Sequence, residues 1–329
     1  MDEESNMRKT LEDNFSTLMK DMNACSSQQE MRLVQKKHLL VHVNNLYRQT
    51  GKEEITHDLL ESHIPHATTA PVSMTKDRHE SFLNAEGDQI KLELNALLHG
   101  ITKLKNADNA DAMAAQMLED GITAIGIESI VKLTENLMTG VDLADAVLNA
   151  IVDTTAAGSI TVVIILVIAV IVPFFFYLQH SATGLLFLIN ELDKDIVFVE
   201  DYNVHGKEKV ITSPIPAFID VPNVGVLYNG GFIITTKRSW ALIGSQYGVT
   251  YKIAGTDTMF QFGLCCPLSS YQGGHACYCD IGSSAKEVAE KVGHDKQLND
   301  YAEKDGIKVE IKVSSRSGTN AFFIGRVFK

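Results

Sequence analysis

Four of the five cysteines lie close together, Cys265, Cys266, Cys277 and Cys279, with His275 between the two pairs. Thiols at this spacing can form disulfides, ligate a metal beside an imidazole, or pack as small apolar groups. A vicinal pair followed by C-x-C does not reproduce the paired C-x2-C of structural zinc sites, so no metal is assigned. Two readings stay open. Disulfides would form if the Gly273-Gly274 turn brought the pairs together at a hairpin tip, and they would favour an extracellular life. Reduced thiols would simply fill a core. Cys25 reads as a buried small apolar residue.

Histidine offers less. His57, His63 and His66, with Glu61, surround Pro65 at a spacing that matches no catalytic pattern, and they read as surface polar groups. His38 and His42 stand one helical turn apart, which suits a metal pair in principle and structural positions better. There is no Walker loop, no G-x-G-x-x-G, no H-E-x-x-H and no G-x-S-x-G. The chain is therefore expected to be a non-enzyme that needs no cofactor.

Charge narrows the partners. The chain has 329 residues and a net charge of −12. Most of that sits early, where residues 1–158 carry 14 Lys and Arg against 25 Asp and Glu. Such a chain repels phosphate backbones and lacks the basic clusters that counterion release requires, so nucleic acid is not expected. The same balance counts against anionic lipid as the main attraction, leaving apolar burial to drive any membrane contact. The start, MDEESNMRKTLEDNF, has no basic n-region and no apolar h-region. It does not read as a signal peptide, so export by another route or a cytoplasmic life is expected.

The elements that would position these residues change character along the chain. Residues 10–51 and 82–105 show apolar positions near a 3.6 period, as helices do. From Ala107 to Val152 the pattern sharpens. Ile122, Gly126, Ile130, Leu133, Leu137, Val141, Ala144, Leu148 and Ile151 step by three or four, with Glu128, Lys132, Glu135, Asp142 and Asp145 largely opposite. That polar face could line an aqueous pore, or simply face water while the other side packs on a bundle.

Between Asp153 and Glu191 there is no Asp, Glu, Lys or Arg. Within this block Ile160–Leu178 is interrupted only by Thr161 and Pro173, and about 20 apolar residues suffice to cross a bilayer as helix. Its candidate membrane-inserting residues are Ile160, Val163, Ile164, Leu166, Val167, Ile171, Phe174, Phe175, Phe176 and Tyr177, the last four placed as an interfacial aromatic belt would be. His180, at the end of the block, is a candidate pH trigger. The alternative is a central helix wrapped by a bundle, which can be apolar all round.

After about Ile196 short runs rich in β-branched and aromatic residues alternate with Gly and Pro, among them Ile196–Val199, Gly225–Tyr228, Gly248–Ile253 and Ile307–Val313. One helix, Ser284–Val292, interrupts them. This texture predicts an antiparallel β-sandwich. Tyr228, Trp240, Tyr247 and Tyr251 fall in it and are either sandwich core or, if exposed together, lipid or receptor contacts.

The expected fold is thus α+β. An N-terminal α-helical bundle with a membrane-length apolar helix occupies 1–192, with its insertion segment at 160–178, and a C-terminal antiparallel β-sandwich occupies 193–329. The stretch from Ala107 to Ile189 resembles an α-type pore-forming toxin, in which an apolar helix or hairpin is stored in a soluble bundle. The segments His205-Gly-Lys, Pro214-Ile-Pro216 and Lys237–Val249 resemble an aegerolysin-like β-sandwich of cytolysins. The resemblance implies a cytolysin that is exported without a standard signal peptide and binds a target-membrane lipid or receptor through the β-domain. Such a protein inserts an apolar helix as a homo-oligomer, with or without a second toxin component. The rival expectation is a constitutive single-pass membrane protein with a β-rich extramembrane domain.

Overall fold

The computed structural model describes residues 15–25, 71–94, 183–206, 209–221, 225–237, 243–268 and 273–329, with isolated positions between 9 and 48. The chain divides into two compact units, Met1–Ala70 with Ala96–Phe176, and Pro71–Asn95 with Tyr177–Lys329. In the first unit a helix, α1 (Ser16–Asn23), buries Leu18, Met19 and Met22 on one face. His38 Nε2 lies 3.0 Å from the Asp21 carboxylate, which makes it a hydrogen-bond partner of α1.

The second unit is a two-layer β structure. Its larger sheet takes β1 (Val72–Thr75), β2 (Thr183–Asn190), β4 (Lys209–Ile211), β5 (Ile219–Val221), β6 (Gly225–Thr235), β10 (Asn299–Lys304), β11 (Ile307–Val313) and β12 (Asn320–Phe328). The main order is β1-β6-β2-β12-β11-β10. The smaller sheet runs β3-β7-β8-β9, with β3 (Ile196–His205), β7 (Ser245–Ile253), β8 (Met259–Cys266) and β9 (Ala276–Ile281). Leu186, Leu188, Ile233, Phe262, Ile311 and Phe323 fill the space between the sheets, all wholly buried. Two further helices are α2 (Lys76–Asn84) and α3 (Ala285–His294).

Both seams between the sheets are sealed. On one side the Cys277 and Cys279 N–H groups of edge strand β9 donate to the Gln297 carbonyl and the Asp300 carboxylate, each at 2.9 Å. On the other, Ile196 and Ile215 exchange backbone hydrogen bonds at 2.9 Å, and the Phe198 N–H donates to Ser213 Oγ. These contacts cover part of the unpaired rows of the edge strands β3 and β9.

The expected α+β arrangement requires correction. Among the described residues the named helices span only eight to ten residues, and none is long and apolar enough to cross a membrane. The described residues are mainly sheet. Gly184–Ile189, grouped by its apolarity with the helical half, lies in β2, between β12 and β6. Every residue of β2 is buried. A strand covered on both faces loses the in-out alternation that marks strands in a sequence. The covering element is equally unexpected. Residues 71–94 add β1 to one edge of the larger sheet and then lie against its outer face, with Met74, Phe82, Ile90 and Leu94 buried and Phe82 against Phe187 at 5.0 Å. The sandwich is also not wholly antiparallel, since β2 and β12 pair in parallel. Ile160–Leu178 and Glu128, Lys132, Glu135, Asp142 and Asp145 lie outside the described residues.

The helix expected at Ser284–Val292 is present as α3, with Ser284 as its N-cap. Ser284 Oγ accepts from the Glu287 N–H while the Glu287 carboxylate accepts from the Ser284 N–H, so two orphan donors are satisfied reciprocally. That backbone hydrogen bond is the chief reason the exposed Glu287 carboxyl titrates below the usual range. A depressed carboxyl stabilises the fold above its unfolded value and loses that contribution as pH falls through its lower folded value. Ser284→Ala is expected to cost about 1 kcal/mol in denaturant unfolding at neutral pH. The deficit should shrink in acid, as pH falls through the lowered folded value of Glu287 and its carboxylate becomes protonated in wild type as well.

Candidate functional site

The strands converge on two ends, and the end holding Thr183 has an unusual inner lining. Leu186 and Leu188 face the core, so by alternation Gly184 does too. The same rule turns Thr235 of β6, Ser245 of β7, Cys266 of β8 and His275 before β9 inward. Asn203 of β3 joins them through its pairing with the buried Tyr247. Where the rest of the sandwich interior is branched aliphatic and aromatic, this last layer is small and polar.

Its geometry is tight. The Cβ position of Gly184 lies 3.2 Å from Thr235 Cγ2 and 3.8 Å from Ser245 Oγ. Beside them Gly206 has φ +153°, and a Cβ there would sit 2.8 Å from Asn203 Oδ1 and 3.2 Å from both Thr235 Oγ1 and the Thr236 carbonyl. Asn203 Oδ1 and Thr235 Oγ1 are buried without a hydrogen-bond partner. Buried oxygens of this kind suit a water or the hydroxyl or ammonium group of a ligand, since each is unfavourable left bare.

His275 ties the rim of this end together. Its Nδ1 lies 2.8 Å from the Ser315 carbonyl and its Nε2 3.1 Å from that of Gly318, while its own N–H donates to Arg316. The Thr319 carbonyl accepts from Thr183 at 3.2 Å and from the Cys266 thiol at 3.7 Å. The turn over 315–319 thus fixes the point where the chain from the uncharged block enters the sheet.

All five cysteines are free, and no disulfide joins Cys265, Cys266, Cys277 or Cys279. Alternation explains why. Cys265 and Cys266 point to opposite faces of the smaller sheet, and Cys277 and Cys279 lie inside strand β9 rather than at a hairpin tip, both facing the core. Burial pushes the Cys266 thiol up to about 12 and raises Cys265, Cys277 and Cys279 as well, the last two with help from Asp300. Thiols held protonated are weak nucleophiles. A disulfide reagent is therefore expected to label these four only as fast as the protein unfolds; rapid labelling in native buffer would contradict their placement.

The aromatic candidates separate. Tyr247 and Tyr251 are wholly buried core residues and cannot touch a membrane or receptor in this fold. Tyr251 donates to the Thr212 carbonyl at 2.8 Å, and burial raises its phenol strongly. Burial, followed by the Asp201 carboxylate, does the same to Tyr247. Tyr228 is half-buried, its ring stacked on His79 at 3.8 Å. His79 Nε2 in turn lies 3.2 Å from the Glu191 carboxylate, so this pair helps seat residues 71–94 on the sheet. Trp240, His42, His57, His63, His66, Glu61 and His180 lie outside the described residues. No group of three or more His, Cys, Asp or Glu able to hold a metal occurs among the described residues.

Sequence reasoning singled out Cys266 and His275 but missed the polar layer they belong to. Its members come from six strands and their flanks, far apart in the chain, and only pairing register brings them together.

The second unit is thus a closed β-sandwich with one outer face covered by residues 71–94 and the other by α3. No family model matches the chain, and no curated protein does. Among solved structures it is similar to the lipid binding protein Nakanori, at 12% identity and a TM-score of 0.37 over 48% of this chain and 76% of that one. It is also similar to the wild-type Xerocomus chrysenteron lectin, at 10% identity and a TM-score of 0.30 over 44% and 99%. A third is RahU protein, at 12% and 0.28 over 46% and 98%.

Proposed function

We propose that this chain is a membrane-binding protein that acts by insertion and assembly, without catalysis. The observation that carries this reading is the uncharged block ending at the sandwich. Ile160–Leu178 is long enough to cross a bilayer and is joined through Gln179–Ala182 to β2, a strand held on both faces. Exposing so much apolar surface to water would cost on the order of ten or more kcal/mol, so the segment must be buried in protein or in lipid. The sandwich holds the chain at the buried Leu94 and again at Thr183 of β2, so the residues between can leave for lipid while the β unit stays folded. In the full form of this proposal, several copies assemble and open a pore.

The test is binding and dye release with vesicles and protein purified without detergent. Wild type is expected to bind and to empty the vesicles, and Val167→Asp or Ile165→Asp to abolish release. Failure to bind vesicles of any composition would overturn the membrane reading. Binding without release would remove the pore and leave the lipid contact. A protein that stays in solution only with detergent would instead be a constitutive membrane protein.

A further inference from the structure

The chain leaves the β unit after Leu94 and returns to it at Thr183, and both attachments are firm. The outgoing one is residues 71–94. Their β1 pairs with β6 from Val72↔Gly230 to Thr75↔Leu227. A circuit of charge then clamps α2 to the sheet at both of its ends. His79 Nε2 lies 3.2 Å from the Glu191 carboxylate, and Arg326 bridges Glu191 at 3.5 Å and Glu310 at 2.7 Å. Lys312 lies 3.5 Å from Glu310 and donates to the Leu83 carbonyl at 3.0 Å. Beyond α2, Arg78 pairs with Glu93 at 3.2 Å, and Ile90 and Leu94 are buried. The returning attachment is β2, paired along its length with β12 on one edge and β6 on the other. A central strand cannot be drawn out without opening the sheet on both sides.

We infer that residues 95–182 cross the bilayer twice, as a hairpin whose two feet stay fixed on the side from which the protein arrives. Both attachments belong to one compact unit. Its strands and charged loops cannot pass through hydrocarbon, so both feet remain on one side. A chain that starts and ends on the same side crosses an even number of times. Ile160–Leu178 supplies one crossing and cannot be the only one. The other limb lies before it, in Ile122–Ile151, which as a helix would reach about 45 Å against about 30 Å of hydrocarbon. Glu128, Lys132, Glu135, Asp142 and Asp145 on that limb cannot face lipid, so it lines water enclosed by several copies. This path rests on the membrane reading above.

The experiment places one biotin at a time on full-length protein carrying Cys25→Ser. The sites are Glu80→Cys on α2 and Lys304→Cys on the sandwich, both exposed, and Ala156→Cys between the two limbs. Cys265, Cys266, Cys277 and Cys279 are buried and stay unlabelled. Each protein is bound to vesicles, and streptavidin, far larger than the dye, is supplied either outside or sealed within. Glu80→Cys and Lys304→Cys are expected to be captured only from outside, and Ala156→Cys only from within. A staple tests the first foot. Thr75→Cys with Leu227→Cys, which are paired in register, should release dye as wild type does, whether oxidised or reduced. Capture of Glu80→Cys and Lys304→Cys from opposite sides would show a single crossing and overturn the hairpin. So would capture of Ala156→Cys from outside alone, or release that returns only when the staple is reduced. Each of these leaves the membrane reading standing. Wild type that binds no vesicle would overturn both.

Discussion

Asn190→Ala is expected to destabilise the protein by about 3 kcal/mol or more, read as a lower denaturant midpoint with unchanged slope. Asn190 is wholly buried at the end of β2, and its amide holds two loops at once. Its Nδ2 donates to the carbonyls of Lys194 at 2.9 Å, Ile215 at 3.2 Å and Pro216 at 2.8 Å, so two hydrogens serve three acceptors. Its Oδ1 accepts from the Leu192 N–H at 3.1 Å. Alanine would leave buried backbone groups without partners in both loops, each costing about 1–3 kcal/mol. It would also loosen the Ile196–Ile215 pairing that closes one seam. Asn190→Asp is the sharper test. It keeps the shape and the acceptor, yet turns a carboxylate toward three carbonyl oxygens, so it should be at least as damaging as alanine. A mild effect of both would show that the loops hold each other without Asn190.

Gly248→Val is expected to cost about 3 kcal/mol or more and to detach α3, visible as lost protection of its amides in hydrogen exchange. Gly248 and Gly263 are directly paired between β7 and β8. A Cβ on Gly248 would lie 2.0 Å from the Ala285 carbonyl oxygen, and one on Gly263 2.6 Å from that of Val288. The clash is with helix backbone, which cannot swing aside as a side-chain tip can. The glycine pair is a seat for α3, and the helix closes down on it with Ala285, Val288, Ala289 and Val292, all buried. Gln246 fastens the fit from the rim, its Nε2 donating to the Ala289 carbonyl at 2.7 Å. Even Gly248→Ala should be costly here, though alanine normally favours structure over glycine.

What the sequence made legible follows from how each element is buried. Ile307–Val313 alternates because one face meets the core and the other water, and its strand runs as expected. Ser284 and Glu287 announce the start of α3 because a capping box is local. β2 hides for the opposite reason, being buried on both sides. β10, with the sequence NDYAEK, hides because little of it is buried, and it is held by backbone pairing with β11 and by Asp300, which accepts from the Cys279 N–H. Residues 71–94 could not be placed from sequence, since their partners Phe187 and Tyr228 are remote in the chain. The cysteines were legible as a cluster, but their roles depended on strand alternation across β8 and β9.

The seating of residues 71–94 on a sheet made from later parts of the chain sets an order of events during synthesis. Phe82 and Met74 leave the ribosome well before Phe187 and Tyr228 exist. Roughly 100–150 residues separate them, which at about 5–20 residues per second is on the order of ten seconds. Through that interval the apolar side of this segment has no partner, and Ile160–Leu178 emerges before the sheet is complete. The nascent chain is therefore the most aggregation-prone form the protein passes through. Its yield in a cell should depend on chaperones that shield this interval more than on the stability of the finished sandwich.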